Sequence, residues 1–164
     1  MMSNVSMEIA TERYIDDVIV TILRVTGTLD GTTFGLLVNS ARRAIEAGEH
    51  NLVIDLEGVT EMGSAGLIAL HQVARLLHGE CPVSSDFGWN AFHALEVDLA
   101  RGQSIGLHIL RPSAAAIDAL VTSGFAALIE PHLYLETAVD AFRRQHGQFV
   151  PEYVQPSARS YQLN

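Results

Sequence analysis

At 164 residues the chain is long enough for one domain with a substantial core. Its formal net charge of −9 argues against nucleic acid as a partner, because a phosphate backbone is held by a cationic surface. All 10 basic residues are arginine, a bias that nothing in the sequence explains, and the single cysteine, Cys81, has no internal disulfide partner and fits a reducing compartment.

The first residues, Met1 to Arg13, lack the basic and apolar regions of a signal peptide. No apolar run approaches the roughly 20 residues of a membrane helix. The sequence therefore reads as soluble and cytoplasmic, without a membrane partner. Met7 to Tyr14 alternates and predicts a first strand. Val18 to Thr26 is rich in β-branched residues and predicts a second. Gly27 to Gly31 breaks the pattern, and Asp30 or Thr32 is placed to cap the next helix. Phe34, Leu37, Val38, Ala41 and Ile45 recur at helical spacing and form one apolar stripe, which Gly48 ends.

Leu52 to Leu56 predicts a strand buried on both faces, followed by a turn-prone segment. Gly63-Ser64-Ala65-Gly66 then opens a helix that buries Leu67, Leu70, Val73, Ala74 and Leu77. A serine at a helix start meets unpaired N–H groups with partial positive charge. It can cap them, bind an anion, act as a nucleophile or accept a phosphate. From His78 to Gly102 the rhythm lapses into an inserted segment. That insert holds Phe87 and Trp89, read as anchors onto the core, and a short amphipathic helix with Phe92, Leu95 and Leu99 on one side. Ser104 to Leu110 predicts a strand. Pro112-Ser113 begins a helix (Ile117, Leu120, Val121) that stops at Gly124. Ala127 to Leu133 predicts a last strand, and Pro131 places it at a sheet edge. Leu135 to Arg144 predicts a final helix, and the tail over 146–164 reads as extended or disordered.

Two strands followed by alternating helices and strands predict an α/β domain over 7–145. Its sheet should be mixed but mostly parallel, with right-handed crossovers and about four covering helices. The insert over 78–102 falls between the second helix and the fourth strand.

These residues resemble the STAS domain of anti-sigma factor antagonists, stressosome proteins and sulfate transporters. The likeness rests on Gly27-Thr28-Leu29-Asp30 after the second strand and on Asp55-Leu56-Glu57-Gly58-Val59-Thr60 in and after the third. It rests also on Gly63-Ser64-Ala65-Gly66-Leu67, where the family usually has Asp-Ser-x-Gly-Leu, and on Val121 to Phe125. The resemblance implies a non-enzymatic interaction domain that binds an anti-sigma factor kinase and is switched by phosphorylation of Ser64. It implies a contact face of Thr28, Leu29, Asp30, Gly31 and Thr32 together with Gly63, Ser64, Ala65, Gly66 and Leu67. Gly63 departs from the family's acidic residue, and the insert departs from its short connection. A constitutive subunit of a stressosome or transporter assembly, without a phosphate cycle, is the second reading. Oligomeric state stays open, a homodimer included.

A third reading is a small serine hydrolase, since Met62-Gly63-Ser64-Ala65-Gly66 approaches the Gly-x-Ser-x-Gly elbow. Methionine replaces its first glycine, and Asp118 or Asp140 with His132 or His146 would have to complete a triad. The seven histidines show no i,i+4 pair and no metal-ligand cluster, so no metal site is expected. No Walker or Rossmann glycine spacing is present, so no nucleotide or other cofactor is expected. Glu57 and Glu61 flank the serine loop as solvated charges and make that face acidic.

Overall fold

The computed structural model describes residues 7–80 and 89–145, with the backbone alone at Trp89. Cys81, Phe87, the side chain of Trp89, His146 and the rest of the C-terminal tail, with the expectations for them, lie outside the described residues. Five strands form one sheet in the order β1-β2-β3-β4-β5. They are β1 (Met7–Ile15), β2 (Ile19–Leu29), β3 (Leu52–Met62), β4 (Leu107–Leu110) and β5 (Ile129–His132). β1 runs antiparallel to β2, and the other pairs are parallel. The helices are α1 (Phe34–Glu46), α2 (Ser64–Leu77), α3 (Trp89–Arg101), α4 (Ala114–Ser123) and α5 (Leu135–Gln145).

Alternation along the central strands divides the core in two. Leu52, Ile54 and Leu56 of β3 face the larger cluster, with Leu37, Leu70, Leu107 and Phe125. Val53 faces the smaller one, with Val20, Leu110, Val139 and Phe142 under α5. A strand apolar on both faces is what a sheet covered on both sides requires. α5 is tied to the β1–β2 turn by Arg143, whose guanidinium donates to both carboxylate oxygens of Asp17 at 2.7–2.9 Å.

The central strands run further than the sequence pattern suggests. β2 passes through Gly27, whose φ of 103° accommodates a local break in register, and ends at Leu29. β3 continues through the turn-prone residues to Met62, because β2 offers backbone partners as far as Leu29↔Met62. Paired backbone outweighs weak local propensity here. Gly58 makes this possible. A Cβ there would lie 2.5 Å from Thr26 Cγ2 and 3.2 Å from Thr26 Cα on the neighbouring strand. Gly58→Ala is expected to cost about 1–3 kcal/mol, because threonine is stiff at χ1 and its backbone is held by the ladder. Thr26→Ala should recover part of that loss. Urea unfolding of the double-mutant cycle checks it, and strict additivity would count against the contact.

Two helices present different faces from those their periodicity suggests. α4 buries Ala116 and Leu120, while Ile117 and Val121 are 47% and 63% exposed. The small Ala116 lets α4 sit close on the sheet, and the larger side chains fall outside the contact. α3 buries Ala91 and Leu95 against the domain, and Phe92 is 41% exposed. α4 is capped by Ser113, whose hydroxyl accepts from Ala116 N–H at 3.1 Å, and stops at Gly124 in the left-handed conformation.

Candidate functional site

The ends of β2 and β3 bring the two expected contact segments together. Gly63 N–H donates to Leu29 C=O at 3.1 Å, so the start of α2 is fastened to the loop that follows β2. That loop is built by Asp30 and Thr33. Asp30 Oδ1 accepts from Thr32 N–H at 2.8 Å and from the Thr32 hydroxyl at 2.7 Å. The Thr33 hydroxyl accepts from Asp30 N–H at 2.9 Å and donates to Thr28 C=O at 2.7 Å. The Thr32 hydroxyl and N–H hold the Asp30 carboxyl below the usual carboxylate range, so it stays ionised. Neither Asp30 nor Thr32 occupies the helix cap. Thr33 does, with its hydroxyl engaged in the turn and no side-chain cap bond.

Ser64 is exposed and occupies the first helical position of α2, while Gly63 is the cap residue. The plain capping role open to Ser64 from sequence is therefore not its role, because its side chain is one residue too far into the helix. Among the described residues its hydroxyl makes no hydrogen bond to the protein. Gly63, Gly31 and Thr32 are exposed, and Thr28, Asp30 and Ala65 are half-buried. Leu29, Gly66 and Leu67 are buried, so they shape this face from beneath. Gly66 matters by its size: a Cβ there would stand 3.0 Å from Leu29 Cγ and 3.1 Å from Leu29 O.

The charges around Ser64 are acidic. Asp30 stands on the adjoining loop, and the exposed Glu61 is the register partner of Thr28. Glu57 is also exposed but is drawn toward Arg111, 3.6 Å from its Nε.

The model of the STAS domain family matches residues 10–80. An anti-sigma factor antagonist from Mycobacterium paratuberculosis superposes with a TM-score of 0.53 at 19% identity, over 83% of this chain and 95% of that one. The fold is that of the STAS domain. A looser overlap, TM-score 0.48 at 17% identity, covers 87% of this chain and 100% of the anti-sigma factor antagonist SpoIIAA in its unphosphorylated form. No curated protein matches the chain significantly. The matched STAS segment contains both halves of the face just described, Thr28–Thr32 and Gly63–Leu67. It ends at residue 80, just inside the insert over 78–102.

The residues named for a hydrolase triad are dispersed. Asp140 accepts from Arg143 at 2.7 Å, and Asp118 is exposed on α4. His132 bonds to His108 and Thr137, and no histidine hydrogen-bonds Ser64 among the described residues. The expectation that the seven histidines include no metal-ligand cluster needs one correction. His71 and His78 are hydrogen-bonded, to Asp98 at 2.6 Å and to Ile105 C=O at 2.8 Å. His108, Glu130 and His132, however, do form a cluster, their ligand atoms all within 4.8 Å of one another. Glu130 and His132 are two apart on β5, but His108 lies more than twenty residues earlier on β4, and only the parallel pairing of the two strands brings it to them.

No helix among the described residues is long and apolar enough to cross a membrane.

Proposed function

We propose that this STAS domain is a regulatory interaction module of the anti-sigma factor antagonist type, binding an anti-sigma factor with serine kinase activity through the Ser64 face. The observation that carries the reading is an exposed serine hydroxyl, without a hydrogen bond among the described residues, at the first position of α2 and fastened beside the Thr28–Thr32 loop. A phosphate on Ser64 adds about −1.5 to −2 charges. In the free domain it meets the positive end of α2 and is tolerated there. In a docked complex the same dianion is desolvated beside Asp30 and Glu61. A penalty of about 2.7 kcal/mol weakens affinity roughly 100-fold, enough to release a partner without refolding the domain. No chemistry on a substrate is needed for this.

The test begins with capture of the chain's partner from native lysate, with and without ATP, and mass spectrometry of bait and prey. A serine kinase recovered with the bait, together with phosphate on Ser64, is the expected result. Against that purified partner, Ser64→Asp should weaken binding by roughly 100-fold, and Ser64→Ala should bind but accept no phosphate. A stable assembly in which Ser64 stays unmodified under ATP overturns the switch. It leaves a constitutive interface, the role Gly63 suits if a kinase reads the acidic residue it replaces.

A further inference from the structure

The cluster at β4 and β5 is unrelated to the Ser64 face, and its hydrogen-bond pattern constrains its protons. The Thr137 hydroxyl donates to Tyr134 C=O at 2.8 Å, so its single hydrogen is used. The 3.0 Å contact between His132 Nδ1 and that hydroxyl must then be donated by the imidazole. A neutral His132 with its hydrogen on Nδ1 carries a lone pair on Nε2. That lone pair faces His108 Nδ1 at 3.0 Å, and Glu130 Oε1 lies 3.9 Å from the same His108 nitrogen. His108 is 1% exposed, with its ring 4.5 Å from that of Phe142. Burial holds both rings below the usual imidazole range, with Glu130 opposing that shift and Arg144 adding to it.

We propose that His108 Nδ1, His132 Nε2 and the Glu130 carboxylate bind one divalent transition-metal ion, with zinc the best match to two imidazoles and a carboxylate. At Zn–N distances of about 2.0–2.1 Å, tetrahedral ligand nitrogens stand about 3.3 Å apart, so the two nitrogens need to part by a few tenths of an ångström and each ring to turn until its lone pair meets the ion. Glu130 sits on the partly exposed edge strand and has the freedom to close the remaining gap. For the ion to take its place between the rings, neutral His108 changes tautomer: its single ring proton leaves Nδ1 and is carried on Nε2 instead. That atom is buried without a partner among the described residues in either tautomer, so it does not weigh against binding. Thr137 supplies what metal-binding histidines usually have, an acceptor for the other ring N–H that fixes tautomer and orientation. The ligands come from β4 and β5, and Thr137 belongs to α5. A bound ion would therefore fasten the edge strand and its covering helix to the sheet, and should raise the melting temperature.

The test is titration of the tag-free chain with Co2+, followed by optical absorption, then displacement by Zn2+. The expected result is a visible d–d band saturating at one ion per chain and lost on adding Zn2+. His132→Ala should abolish the band, Glu130→Gln should weaken binding, and Thr137→Val should reduce affinity by about 10-fold through loss of the orienting bond. Circular dichroism confirms that each variant is folded; if His132→Ala is not, Glu130→Gln, at a half-buried position of the edge strand, decides. No band in the wild-type chain, or a band unchanged in the folded ligand variants, overturns the site.

Discussion

Asp55→Ala should lower the stability of the domain by about 3 kcal/mol. Asp55 is fully buried on β3, on the sheet face that carries α5. Its Oδ2 accepts from Arg111 at 2.9 Å and lies 3.4 Å from an Arg24 nitrogen, and its Oδ1 accepts from Glu57 N–H at 2.9 Å. Alanine would leave two guanidinium groups converging on an empty position and one backbone N–H without its acceptor. Breaking a buried ion pair costs about 3–5 kcal/mol. The two arginine side chains are 34% and 38% exposed, so water relieves part of that cost and places the effect at the low end. Arg111 adds to the dependence on Asp55, because its φ of 47° is a strained conformation for a residue with a side chain. Asp55→Asn keeps an acceptor for Glu57 N–H and should fall between wild type and alanine. Urea unfolding with an unchanged slope measures both. A wild-type midpoint for Asp55→Ala would show that these ion pairs contribute nothing net.

Gly66→Val should cost about 3 kcal/mol and displace the start of α2. Even a lone Cβ at this position stands 3.0 Å from Leu29 Cγ and Met62 Cγ and 3.1 Å from Leu29 O. The side-chain ends can give way a little, but the carbonyl cannot, since it accepts from Gly63 N–H. Valine adds two methyl groups to a space already closed, and overpacking of this kind costs about 1–3 kcal/mol, occasionally more. Gly66→Ala should show a smaller loss. The functional consequence follows from the same contact: pushing α2 away from Leu29 separates Ser64 from the Thr28–Thr32 loop. Unfolding measurements report the stability term, and affinity for the captured partner reports the displacement. Full stability of Gly66→Val would mean the loop and helix are not packed as closely as this.

Much of this architecture is legible in the sequence, for local reasons. β-branched runs, helical apolar spacing and the stops at Gly48 and Gly124 set the order of strands and helices, and Pro131 assigns β5 to an edge. The Ser64 segment is equally visible, because a strand-turn-helix with small residues has a local signature. Other features depend on partners distant in the chain. The extension of β3 to Met62 requires β2 beside it. The burial of Ala116 in place of Ile117 depends on how closely α4 approaches the sheet. The same holds for Asp55, whose sequence context is an apolar strand with nothing to announce Arg24 and Arg111. His108, Glu130 and His132 are the clearest case. The sequence by itself determined an α/β domain with a serine at the mouth of its second helix. Only the tertiary structure decided that this serine stands beside the Asp30 loop with no hydrogen-bond partner among the described residues, and that His108 of β4 meets Glu130 and His132 of β5, because which strands become neighbours depends on segments distant in the chain.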